Sequence, residues 1–250
     1  MIWIFWLILL ASTPTPSYGA TDFVQECTNG SSGDSTTVTC TFGSNVTSGN
    51  LIACAVSIKS TSITVSSLSD TQTNTYTLRG TYYLDTTNTE RILGAYATNV
   101  TGPFTVVTVT LSSSLAGHKG VVCHEISGAD TTSPDDGYVG NWVTSMDDTT
   151  DGVTSTAITT TANGDYIFGA TYDSGGGCTT VNAGTSFTGH TLSGCQVLYS
   201  EHRIQSSAGS VAATFTSTWP VAENNFVTII QAFKAQTSAR RRIAPMLLGE

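Results

Sequence analysis

The residues able to do chemistry in this 250-residue chain are few: four histidines, eighteen acids and six cysteines. His118, His124, His190 and His202 can each act as a general base or a metal ligand. His124 stands beside Glu125 in the apolar run Gly120–Ile126, which reads as a core strand. Adjacent side chains on a strand point to opposite faces, so the two cannot serve one substrate. His124 is therefore expected to be a hydrogen-bonded strand histidine. Cys178, His190, Cys195 and His202 form one candidate zinc set, but they lack the tightly spaced ligand pairs of structural zinc sites. No Gly-x-Ser-x-Gly elbow is present; Gly184-Thr-Ser-Phe-Thr-Gly189 has the wrong spacing and no helix signal after it. The neighbouring acids Asp135–Asp136 and Asp147–Asp148 are not held at the fixed separation that glycoside hydrolysis needs. Asp147, Asp148 and Asp151, followed by Gly152, offer hard oxygen ligands for a structural calcium ion, and Asp70, Gln72 and Asn74 offer a second such turn. Neither has the closing bidentate Glu of a full calcium loop.

Aromatic residues near loops are the candidates for stacking on sugar rings: Trp142, Trp219, Tyr138 and Tyr172. The opposing expectation for such a tryptophan is a plug over the end of a β core.

The six cysteines, Cys27, Cys40, Cys54, Cys123, Cys178 and Cys195, read as disulfides if the chain is exported. Cys27 and Cys40 flank the turn Thr28–Asp34, so a hairpin brings them together. Cys178 and Cys195 close a loop rich in Gly and Thr. Cys54 and Cys123, each in a strongly apolar strand, pair by elimination.

Export is itself read from the N-terminus. Ile2 to Ala11 is an almost unbroken apolar run, about half the length of a membrane span, followed by Pro14 and Pro16. Residues 1–19 are expected to be a signal peptide, cleaved after Gly19 with Ala20 as the alternative, although no Lys or Arg precedes the run. The product is expected to be secreted or at the cell surface, with no membrane span in the mature chain. Only 11% of residues are charged and the net charge is −9, which argues against nucleic acid as a partner. The single basic cluster, Arg240 to Arg242, lies in a C-terminal tail assigned to residues 236–250.

The elements that must position these groups are strands. No window carries an apolar stripe at helical spacing, whereas runs of β-branched and aromatic residues recur between Gly, Asn, Asp and Ser turns. Val107, Val109 and Leu111 alternate with Thr108 and Thr110, the pattern of a half-buried antiparallel strand. Leu51–Ile58, Tyr166–Ala170 and Phe226–Phe233 are apolar on both faces and belong in the middle of a sheet. The sequence also echoes itself. Residues 49–56, 92–100, 106–112 and 120–126 recur in order and kind as 164–171, 196–204, 211–217 and 225–231. The expected fold is all-β: a two-sheet antiparallel sandwich, jelly-roll or immunoglobulin-like, with two related strand sets in one domain over residues 20–235.

Ser48-Gly-Asn-Leu-Ile, Ser69–Leu78, His124-Glu-Ile-Ser-Gly128, Asn163-Gly-Asp-Tyr-Ile and Gly209–Phe215 together resemble a family of secreted bacterial β-sandwich domains found in surface and adhesion-like proteins. The resemblance covers most of residues 22–235, implies fold and export, and carries no catalytic residue. The cysteines stand outside its pattern. The expected function is a non-enzymatic extracellular or cell-surface module with a structural or adhesive role, whose partners are polysaccharide or other surface proteins. A carbohydrate-binding module is the alternative, and a secreted polysaccharide-active enzyme the third reading. No catalytic residue and no cofactor beyond calcium is assigned.

Overall fold

The computed structural model describes residues 17–79, 83–84, 90–146, 152–173, 180–190, 198–218 and 224–238. Among the described residues every regular element is a strand, and no helix is long and apolar enough to cross a membrane. The strands of the first half are β1 (Ser17–Tyr18), β2 (Asp22–Ser31), β3 (Ser35–Thr41), β4 (Leu51–Lys59), β5 (Val65–Ser69), β6 (Thr77–Leu78), β7 (Tyr83–Leu84), β8 (Glu90–Ala97), β9 (Val106–Leu115) and β10 (Lys119–Ser127). Those of the second are β11 (Asp135–Met146), β12 (Gly152–Thr154), β13 (Ile158–Thr159), β14 (Asp165–Asp173), β15 (Thr180–Ala183), β16 (Thr188–His190), β17 (Leu198–Gln205), β18 (Ser210–Val211), β19 (Thr214–Thr218), β20 (Asn224–Phe233) and β21 (Thr237–Ser238).

The sequence echo becomes a repeated topology. The first half forms a large sheet in the order β2-β10-β4-β8-β6, and the second repeats it as β11-β20-β14-β17-β16. Each half adds a three-stranded sheet, β3-β9-β5 and β12-β19-β15 respectively. All pairings are antiparallel, and the doubly apolar runs are the inner strands β4, β14 and β20. β1 and β21 pair with each other, so the ladder reaches residues 17–18 and 237–238, outside both boundaries of the expected domain.

The expectation of one two-sheet sandwich is corrected to four layers. Val107 and Val109 of a small sheet pack on Ile52, Cys54 and Val56 of the first large sheet. The opposite face of that sheet, with Ala53, Ala55 and Val122, meets Tyr166, Phe168, Ile229 and Phe233 of the second large sheet. Beyond it, Ile167, Ile230 and Ala232 meet Val153 and Phe215. A strand flanked by layers on both sides must be apolar on both faces, which is why these runs lack alternation. Fully burying a side chain such as Phe168 or Phe233 contributes roughly 1.5–3 kcal/mol.

The central seam also holds polar links. Gln231 donates from Nε2 to the carbonyl of Cys54 at 3.0 Å and accepts from Arg79 Nε at 3.3 Å. Arg79 pairs with Asp135 at 2.6 Å and lies over the rings of Tyr96 and Tyr138. This approach requires Gly94: a Cβ there would stand 2.7 Å from Tyr138 Cε2 and 2.8 Å from Gln231 Oε1. Gly94→Ala is expected to lower stability by roughly 1–3 kcal/mol, read from urea denaturation, because the seam must open to fit one methyl group. An unchanged unfolding midpoint would show that the seam yields without cost.

Two disulfides lie in the first half, Cys27–Cys40 and Cys54–Cys123, the pairs expected from the sequence. Cys178 and Cys195 lie outside the described residues, as do Trp219, Asp147, Asp148 and Asp151.

Candidate metal centre

Three of the four histidines converge in the central seam. His124 comes from β10 in the first half, His190 from β16 and His202 from β17 in the second. One ring nitrogen of each lies within 4.8 Å of the others. Strand register explains the convergence. His190 stands opposite Ser200, and Thr188 opposite His202, so His190, Ser200 and His202 share the face turned to the first half. On the other sheet, His124 stands opposite Glu26 of β2. A register shift between Glu125 and Ile126 leaves Val24 unpaired and exposed, and turns Phe23 to the same face as Glu26. The ring of Phe23 then stacks on His202 at 4.9 Å and lies 4.5 Å from His190.

Each imidazole is held by named partners. His124 is fully buried, with Nδ1 2.8 Å from the Tyr166 hydroxyl and Nε2 2.9 Å from Ser200 Oγ. His190 Nε2 is 2.8 Å from His202 Nδ1. Glu26 Oε2 lies 3.3 Å from His190 Nδ1 and 3.6 Å from His124 Nε2. Tyr166 stacks on His202, ring centres 5.3 Å apart.

The electrostatics suit a cation. Burial, ahead of the neighbouring imidazoles, pushes His124 and His202 each down to about 4. At neutral pH both are therefore uncharged and keep a lone pair for coordination. Burial alone would raise Glu26, but hydrogen bonds with His124 and His190 outweigh it and hold the carboxyl down to about 2. Neutral imidazoles beside a carboxylate are the donors that zinc or copper prefers, whereas calcium requires a shell of oxygens.

The remaining sequence candidates are dispersed. His118 is buried against Tyr172, ring centres 5.1 Å apart, away from the cluster. Tyr172 is a fully buried core residue, and Tyr138, partly buried against the same core, accepts a hydrogen bond from the Gly94 amide at its hydroxyl. Trp142 on edge strand β11 is 43% exposed and does present one. Asp70 spends its oxygens within its own turn, accepting from Gln72 N, Asn74 Nδ2 and Tyr76 Oη. A cavity of about 170 Å³ is bordered by Asn182, Tyr199 and Phe215 and also by two residues of the cluster, His190 and Ser200. Glu26, Phe23, Tyr166 and Ser200 were not singled out by the sequence; only the strand register brings them to the histidines.

A second titratable pair sits at the starts of β11 and β14. Burial first, then the hydrogen bond and charge of Asp136, lift Asp165 to about 8. Asp136 stays low, with Thr161 as donor and Lys234 Nζ at 3.4 Å. A carboxyl raised above its unfolded value of about 3.9 stabilises most fully below that pH, and the contribution is lost as pH rises through about 8. Asp165→Asn keeps a hydrogen-bond donor and cannot ionise. It is expected to flatten the fall in melting temperature between about pH 4 and about pH 8; an unchanged slope would contradict the pairing.

No protein-family model matches the chain, and no curated protein or solved structure is significantly similar to it, so the site's chemistry is carried by its own geometry.

Proposed function

We propose that the protein is a secreted or cell-surface β module, structural or adhesive in role, whose two halves are clasped by one zinc- or copper-class ion at His124, His190 and His202. The observation that carries this reading is the convergence of three imidazoles, drawn from both halves, within 4.8 Å. Paired cysteines inside the first half, together with the apolar N-terminal run, support an oxidising compartment. An ion in the seam adds bonds between halves that otherwise meet through side-chain packing and a few hydrogen bonds. Cobalt(II) titration of the chelator-treated protein tests the reading. One equivalent is expected to bind with the visible absorption of a nitrogen-ligated ion. Both binding and absorption are expected to be lost in His190→Ala and His202→Ala; no uptake of cobalt, zinc or copper by the folded protein would overturn the reading.

The exposed ring of Trp142 favours a second reading, polysaccharide binding at the edge of the second large sheet. Glycan-array binding that disappears in Trp142→Ala supports it, and an array without signal removes it.

A further inference from the structure

The second inference rests on the metal reading and concerns how many positions around the ion the protein fills. An imidazole gives an ion one nitrogen. His190 Nε2 is the nitrogen facing His202, while its Nδ1 faces Glu26 at 3.3 Å, closer than the 3.6 Å from Glu26 to His124 Nε2, so Glu26 is assigned to the outer nitrogen of His190. His124 is arranged alike: Nε2 faces Ser200 and the cluster, and Nδ1 is held by the Tyr166 hydroxyl. A carboxylate or hydroxyl on the outer nitrogen of a ligating histidine fixes its tautomer and orientation. With Glu26 assigned to that task, the protein supplies three nitrogen donors. Three histidines are the ligand count of zinc sites that keep a fourth place for water, whereas structural sites close with four protein ligands. Glu26 is 27% exposed and His190 12%, so the cluster borders solvent on the His190 side, while His124 and Ser200 are buried.

We propose that the centre is a three-histidine site with one exchangeable coordination position open at the edge of the central seam, filled by water or a small monodentate donor. Ser200 Oγ, beside the coordinating nitrogen of His124, is placed to hydrogen-bond that donor. The open position makes the centre able to bind a ligand, which a purely structural clasp cannot do.

Copper(II)-loaded protein titrated with azide tests this. The expected result is a saturable charge-transfer band at one azide per copper in the wild type. In Glu26→Gln copper binding is expected to weaken about 10- to 100-fold, as for loss of an outer-nitrogen partner, with the azide band retained at full copper loading. Copper bound at one equivalent with no azide band in the wild type, and a band appearing only in Glu26→Ala, would overturn the inference by making Glu26 the fourth ligand. That result leaves the metal reading standing. Failure of copper to bind at all would instead remove the metal reading, and this one with it.

Discussion

Zinc added to the chelator-treated protein is expected to raise its melting temperature by roughly 8–16 °C. An ion that binds only the folded state stabilises it by about 4 kcal/mol when its free concentration is a thousand times Kd. For a protein of this size each kcal/mol moves the midpoint by roughly 2–4 °C. The effect is large because His124 comes from a strand far in sequence from those of His190 and His202, so no unfolded segment can present all three together. His202→Ala separates this from general salt effects. His202 lies at the edge of the seam, so its loss leaves the core packing largely in place while breaking the ligand set. Its melting temperature in chelator is expected to stay near that of the wild type, and its response to zinc to disappear. A wild-type midpoint insensitive to zinc would count directly against the clasp.

The second large effect concerns Cys54–Cys123. These residues are direct neighbours on β4 and β10 but 69 residues apart in sequence. Closing so long a loop in the unfolded chain corresponds to about 4 kcal/mol in the chain-entropy account, against about 3 kcal/mol for the 13-residue separation of Cys27 and Cys40. The double variant Cys54→Ala/Cys123→Ala is therefore expected to melt roughly 8–16 °C lower, and Cys27→Ala/Cys40→Ala to lose somewhat less. Both cystines lie in the seam between the first large sheet and its small partner, on the opposite face from His124. Zinc stabilisation is thus expected to survive in either variant. Thermal melts with and without zinc check both statements, and a zinc response lost together with the Cys54–Cys123 bridge would mean that the two seams are not independent.

Much of the fold was legible in the residues. The echo between residues 49–126 and 164–231 reappears as two large sheets with matching strand order. Leu51–Ile58 reads as an inner strand from its uninterrupted apolar character, and it is one. That same character already implied more than two layers, because an outer strand of a simple sandwich keeps one face for solvent. Phe168 and Ile167 show the consequence, facing different cores on opposite sides of β14. The metal centre was only half legible. His190 and His202 were grouped by their closeness in sequence, but with two cysteines as co-ligands. His124 was correctly read as a buried, hydrogen-bonded strand histidine, yet nothing local reveals that the strand carrying it faces β17. Glu26 reaches the cluster by standing opposite His124, and Phe23 through a bulge at Val24 that no residue type there announces. Contacts of this kind depend on register and on which sheets face each other, quantities that local pattern does not encode.

The most direct measurement is anomalous diffraction at the zinc absorption edge from crystals grown with equimolar zinc. The account predicts one strong peak in the central seam, about 2.0–2.1 Å from a ring nitrogen of each of His124, His190 and His202. Zinc found only on surface carboxylates, with His190 still bonded to His202 and His124 to Tyr166 and Ser200, would contradict it.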